Sequence, residues 1–378
     1  MDNPALPSFD LSRNWKRVRE EILEGITKVL DSQHFILGPE VEAFERDIAS
    51  YLRVSHADGC ASGTDALLLA LMALGVGPGD EVITTPYSFF ATVSCITRVG
   101  ATPVFADVDP HTFNISPEKI LEKLTGKTRA VIPVHLFGQM ARVEDFSEAV
   151  SRQGAFLIED CAQAFGATRV INGKIERAGT LGDIGCFSFF PTKNLGGFGD
   201  GGLLSTNSDE LSARIRSLRV HGSGKQYFHD EVGINSRLDE IQAVILRVRL
   251  RHLETWNEER RLVSERYRTL FAEMNLGEWV TPPEESEGNR HIFHQYVIKC
   301  SHRDQLKDWL ADRGITSRIY YPLSLHLQPC FSFLGYKKGD LPVSESLSQE
   351  TLALPIFPEL LPEEQERVAA AISGFYRK

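Results

Sequence analysis

The chain has 378 residues, 42% of them hydrophobic, and a formal net charge of -10. That length supports a large core, and the negative balance excludes nonspecific nucleic-acid binding and docking on an anionic membrane. The opening MDNPALPSFD has neither a basic start nor an apolar run, and the longest strongly apolar stretch, near ALLLALMALGV, is too short to span a bilayer, so neither a signal peptide nor a membrane span is expected.

From about Glu81 two textures alternate. Short β-rich runs occur at EVITTP, TPVFADV, TRAVIPVHL, AFLIED, DIGCFSFF and GGLLST. Helical patterns separate most of them: TDALLLALMAL, SFFATVSCITRVG, SPEKILEKL and RVEDFSEAVSRQ. This alternation predicts βαβ units and a mainly parallel sheet with helices on both faces. The exception lies between SFF and GGLLST, where no crossover helix fits; GGLLST is therefore expected to run antiparallel or to follow a tight glycine loop. After Gly233 a long helical pattern with a bend links to a smaller α+β unit: a strand over HIFHQYVIKC, a helix over RDQLKDWLADRG and a final helix over EEQERVAAAISGFYR. The expected division is 1–255 for the large domain and 256–378 for the small one. The six cysteines form no CxxC pair, which fits free thiols in a reducing cytoplasm.

Four features point to chemistry. Gly197, Gly199 and Gly202 match GxGxxG, but strand-like LLSTN follows where a dinucleotide site needs a helix. AFLIED ends in Glu159 and Asp160, and ligands of open α/β sheets sit outside the carboxyl ends of strands; an ordinary helix N-cap is the competing reading. Ser62, Gly63 and Thr64 open a strongly helical run, and a helix N-terminus suits a phosphate, although it also suits a plain cap. Lys193 stands between Phe187, Phe189, Phe190 and a glycine-rich loop. Partial burial there lowers an amine's pKa, and a neutral amine attacks carbonyls. A nucleophilic lysine, a strand-end acid and a phosphate cradle together are what pyridoxal 5'-phosphate requires.

With these residues in place, SGTDAL, TPYSFFAT, VHLFGQM, IEDCAQAFGA, GDIGCFSFFPTKNLGGFGDGG, GINSRLDEIQA and YYPLSLHLQPCF give the chain a resemblance to the DegT/DnrJ/EryC1/StrS sugar aminotransferases. The resemblance covers nearly the whole chain. It implies the fold type I architecture, an α/β fold with a mainly parallel seven-stranded sheet and a smaller C-terminal domain. It also implies a role for each matching residue: Lys193 as the Schiff-base lysine, Asp160 on the pyridine nitrogen, Gln163 near the ring hydroxyl and Phe89 over the ring face. Gly63, Thr64 and Ser188 would hold the phosphate, and Asn235 would reach the phosphate of a neighbouring subunit in a homodimer. L-Glutamate would be the amino donor and a nucleotide-linked keto sugar the acceptor. Relatives with histidine in place of the lysine dehydrate sugars, and Lys193 argues against that branch.

The YYPLSLHLQ segment resembles the branch acting on UDP-linked 3-keto N-acetyl hexoses or uronic acids. A 4-keto or dTDP-linked sugar remains open. Arg318, Tyr321 and His326 are the expected substrate residues. Arg214, Arg216, Arg219, His221 and Lys225 could also meet a diphosphate, but Arg214 and Arg216 read better as a solvated helix face. His291 and His294 would fall on opposite faces of a strand, so no metal site is expected. The role of His135 is open between the site and a turn. Trp15, Trp256 and the cysteines read as packing residues.

Overall fold

The computed structural model describes residues 5–225 and 227–377. Seven strands form the central sheet: β1 (His56–Cys60), β2 (Glu81–Thr84), β3 (Thr102–Phe105), β4 (Thr128–Ile132), β5 (Phe156–Asp160), β6 (Ile184–Ser188) and β7 (Gly202–Thr206). Their order is β1-β7-β6-β5-β4-β2-β3. All neighbours from β3 through to β6 are parallel. β7 pairs antiparallel with both β6 and β1, with Ser188 opposite Gly202 and Cys60 opposite Gly202 on the other side. GGLLST thus runs as its short connection requires.

The parallel strands are apolar on both faces because helices cover both faces. The helix α1 (Gly63–Ala73) is buried almost all round, and its Leu67, Leu69 and Ala70 pack on Ile184, Cys186 and Leu204. Hydrophobic periodicity cannot mark one face of such a helix. The sequence pattern does not predict β1. HADGC holds no β-branched or aromatic residue, and what makes it a strand is its pairing with β7.

The long helical pattern resolves into α2 (Glu240–Leu250) and α3 (Leu253–Glu273) with the bend at Arg251–His252. The division expected at 255/256 falls inside α3, so a helix joins the two units. Beyond it, β8 (Val280–Thr281), β9 (Tyr296–Cys300) and β10 (Thr351–Leu354) form a three-stranded antiparallel sheet. The N-terminal arm crosses to this unit: Leu6 bridges to Ile315, and Leu6 and Phe9 pack in the C-terminal core. No helix among the described residues is long and apolar enough to cross a membrane.

Candidate active site

A cavity of about 590 Å³ opens at the carboxyl end of β5, between the sheet and the small unit. Asp160, the last residue of β5, lines it with a buried carboxylate. The Thr92 hydroxyl donates to its Oδ2 at 2.8 Å, and the Ala162 N–H donates to its Oδ1 at 3.1 Å. Burial pushes the Asp160 pKa up, while these two hydrogen bonds and the charge of Lys193 pull it back. The neighbouring Glu159 points to the other face of the strand. It accepts from the N–H groups of Gly179, Leu181 and Gly182 and contacts His135 Nε2 at 2.8 Å. His135 Nδ1 accepts from Ala141 N, so Nε2 carries the proton given to Glu159. His135 therefore satisfies a turn and does not line the cavity. Cys161 lies beside this pair, but both imidazole nitrogens are already committed to protein partners.

Lys193 lies in the loop between β6 and β7. That loop is tied down by three backbone bonds: Phe189 N to Gly201 O, Lys193 N to Phe190 O and Gly197 N to Phe189 O. The side chain lines the cavity, and no hydrogen bond or salt bridge holds its amine among the described residues. Burial drives its pKa down to about 8, against the opposing pull of Asp160. An unpartnered amine of this kind is poised as a nucleophile and a proton carrier.

Opposite Lys193, α1 begins with Ser62 as its N-cap, whose hydroxyl accepts from Asp65 N. The N–H groups of Gly63 and Thr64, the first two of the helix, have no intrahelical acceptor and border the cavity together with Ser188. Two glycines make this close approach possible. A Cβ on Gly63 would lie 2.5 Å from Ser188 Cβ, and one on Gly202 would lie 2.3 Å from the Ser62 carbonyl oxygen. The Ser236 hydroxyl fixes the same turn, accepting from Ala61 N and donating to Asp65. A cavity with a free amine, a buried carboxylate and free helix N–H groups fits a small aromatic aldehyde bearing a phosphate.

The remaining expected residues divide. Phe89 is 58% exposed and lines the cavity. Gln163 and Tyr321 line it too, joined by a 3.0 Å bond from Gln163 Nε2 to the Tyr321 hydroxyl. Gln163 Oε1 accepts from Phe137 N, which leaves one amide N–H for a ligand. Arg318 is exposed at the wall of an adjoining cavity of about 900 Å³, where no ion pair among the described residues engages its guanidinium. Asn235 is exposed and lines neither cavity. His326 also departs from expectation. Its side chain is fully buried, with Nδ1 2.9 Å from Ser324 Oγ and Nε2 3.1 Å from Glu345, and it lines neither cavity.

The three arginines of the basic cluster are likewise structural, while His221 and Lys225 are exposed. Arg216 pairs with the buried Asp58, Arg219 with Glu45 and the Gly59 carbonyl, and Arg214 with Glu231 and the Ala73 carbonyl. Thr92 and His294, by contrast, belong to the cavity wall and were not singled out for it by the sequence. Thr92 had a signal, since it follows Phe89 by one helical turn. The sequence pattern predicts a strand at His294, yet β9 starts only at Tyr296, and Phe293 before it adopts a positive φ of 43°.

A model of the DegT/DnrJ/EryC1/StrS aminotransferase family matches residues 16–373. The chain is 50% identical to a "Pleiotropic regulatory protein" of Geobacillus stearothermophilus, over 98% of this chain and 99% of that one. It is 46% identical to the UDP-N-acetyl-3-dehydro-alpha-D-glucosamine 3-aminotransferase of Acidithiobacillus ferrooxidans, over 98% of each. Among solved structures, S. venezuelae DesV in complex with a ketimine intermediate superposes with a TM-score of 0.95 at 38% identity and covers 100% of both chains.

Proposed function

Because the chain belongs to the DegT/DnrJ/EryC1/StrS aminotransferase family, we propose that it uses pyridoxal 5'-phosphate to move an amino group from L-glutamate to a nucleotide-linked sugar. It is a sugar aminotransferase. The acceptor we infer is a UDP-linked 3-keto N-acetyl hexose or uronic acid, and the enzyme works in the cytoplasm as a homodimer on the way to an amino sugar of a polysaccharide. The observation that carries this reading is the unpartnered Lys193 amine sharing one cavity with Asp160 and the free N–H groups of Gly63 and Thr64.

When bound, the cofactor supplies an aldehyde that captures amines and a ring that takes up the electrons of a broken C–H bond. The protein's own groups do the rest. The Gly63 and Thr64 N–H groups and the Ser188 hydroxyl would hold the phosphate at the positive end of α1. Asp160, whose carboxylate accepts from Thr92 and Ala162, would hold a proton on the ring nitrogen. The free N–H of Gln163 would serve the ring hydroxyl, and Phe89, at the cavity wall, would cover a ring face. Lys193 Nζ, its pKa lowered by burial to about 8, would take a proton from the donor carbon in one half-reaction and, in the other, give a proton to the acceptor carbon. Arg318 and Tyr321 stand on the side where the sugar nucleotide enters. Asn235, exposed on its own chain, reaches the phosphate site of a partner subunit.

The test is a pair of half-reactions on purified, cofactor-loaded enzyme. L-Glutamate should bleach the yellow form, and a UDP-linked 3-amino sugar should bleach it in a separate run. Bleaching by 4-amino sugars alone would move the reaction to the neighbouring carbon. An enzyme unchanged by every amine would remove the function.

A further inference from the structure

His294 sits where the two cavities meet, lining both together with Phe190, Thr192, Gln295, Ile319 and Tyr320. Its imidazole is the end of a buried chain of directed hydrogen bonds. Asn257 Nδ2 donates to the Phe165 carbonyl at 3.5 Å, which leaves its Oδ1 to accept from Asn194 Nδ2 at 2.7 Å. Asn194 Nδ2 also faces the Ile292 carbonyl at 3.3 Å, so its amide orientation is fixed from two sides. Asn194 Oδ1, an acceptor only, lies 3.0 Å from His294 Nδ1. Nδ1 must therefore carry a proton. Asn194 directly follows Lys193, so the chain ties the imidazole to the lysine loop. Nε2 makes no hydrogen bond among the described residues. Burial and the positive charges of Lys193 and Arg260 keep the ring neutral, with the nearby His291 adding to the same effect.

We propose that His294 Nε2 is a fixed hydrogen-bond acceptor that reads a hydroxyl of the sugar at the passage between the lysine cavity and the Arg318 cavity. The inference rests on the proposed function for its ligand. It makes His294 a positioning and specificity residue of the sugar half-reaction. An Nε2 lone pair held by Asn194 and Asn257 accepts from a hydroxyl without needing to rotate. A substrate with its reacting carbon at Lys193 and its diphosphate toward Arg318 has to pass this nitrogen.

Two measurements test it. Long-range proton–nitrogen spectra of resting enzyme carrying labelled histidine should show His294 as the neutral Nδ1–H form, its signals assigned by their loss in His294→Asn. An Nε2–H form or a cation at neutral pH would overturn the proposal. His294→Asn places an amide N–H where Nδ1–H was, keeps the bond to Asn194 and removes the acceptor. His294→Gln returns an acceptor near the Nε2 position. With L-glutamate and a UDP-linked 3-amino sugar as probes, His294→Asn should weaken half-saturation by the sugar about tenfold more than by glutamate, with partial recovery in His294→Gln. Equal effects on both half-reactions, or none, would overturn the inference alone. A wild-type enzyme silent toward both probes would overturn the functional reading, and this inference with it.

Discussion

Thr92 and Asp160 are 68 residues apart in the chain, yet the threonine hydroxyl donates to the buried carboxylate at 2.8 Å. That bond offsets part of the desolvation that raises the Asp160 pKa. Thr92→Val should leave the carboxylate less well held as an anion and weaken pyridoxal phosphate binding by about 5- to 10-fold. Thr92→Ser should restore it. A fluorescence titration of cofactor-free enzyme reads both variants, and an unchanged affinity in the valine variant would separate Thr92 from the site.

The phosphate cradle proposed for the start of α1 rests on the close backbone approach between Ser62 and Gly202. In Gly202→Ala the new methyl meets the Ser62 carbonyl at 2.3 Å, so the first turn of α1 has to move. Cofactor affinity should fall at least tenfold, while the far-ultraviolet spectrum stays that of a folded α/β protein. Inorganic phosphate should compete with the cofactor in the wild-type enzyme and lose that competition in this variant.

The depressed pKa of Lys193 gives a pH dependence with a definite sign. Burial penalises the ammonium, so the neutral fraction in cofactor-free enzyme rises through about pH 8, not through the ordinary 10.5. Selective acylation of Lys193, followed by peptide mapping, should show that midpoint. Between those two values the unfolded chain holds a proton the folded one has released, so stability should rise with pH across this window. A labelling midpoint near 10.5 would mean the amine is fully solvated.

His326 is expected to matter for folding and not for substrate. Its ring is sealed between Ser324 and Glu345 and packs on Phe105 and Tyr336, so His326→Ala removes two hydrogen bonds and opens a cavity. We expect a loss of about 1–3 kcal/mol by urea denaturation. The half-saturating sugar concentration should change little in the surviving folded enzyme. A large rise in that concentration with unchanged stability would return His326 to the substrate pocket.

The sequence made much of this arrangement legible, for physical reasons. Lys193 and Asp160 announced themselves because charged groups placed next to apolar strand ends rarely serve packing. The connection before β7 is too short for a crossover, which leaves an antiparallel course or a tight glycine loop, and the strand runs antiparallel. What stayed hidden depended on partners remote in the chain. The arginines before GINSR looked free, yet Arg216 and Arg219 are matched by Asp58 and Glu45, more than 150 residues away. The partner of His326, Glu345, lies on the helix Pro342–Glu350, which no periodic pattern marked. β1 is held by pairing and not by propensity. His294 was hidden by a strand reading that the backbone abandons before Tyr296.

The central claim is that Lys193 Nζ bonds covalently to the cofactor. Borohydride reduction of the loaded enzyme, followed by digestion and mass spectrometry, tests it most directly. The modified peptide should carry the reduced phosphopyridoxyl group on Lys193, and Lys193→Ala should yield no modified peptide and no bleaching by glutamate. Attachment at a different lysine, or a Lys193→Ala enzyme that still bleaches with glutamate, would contradict the account.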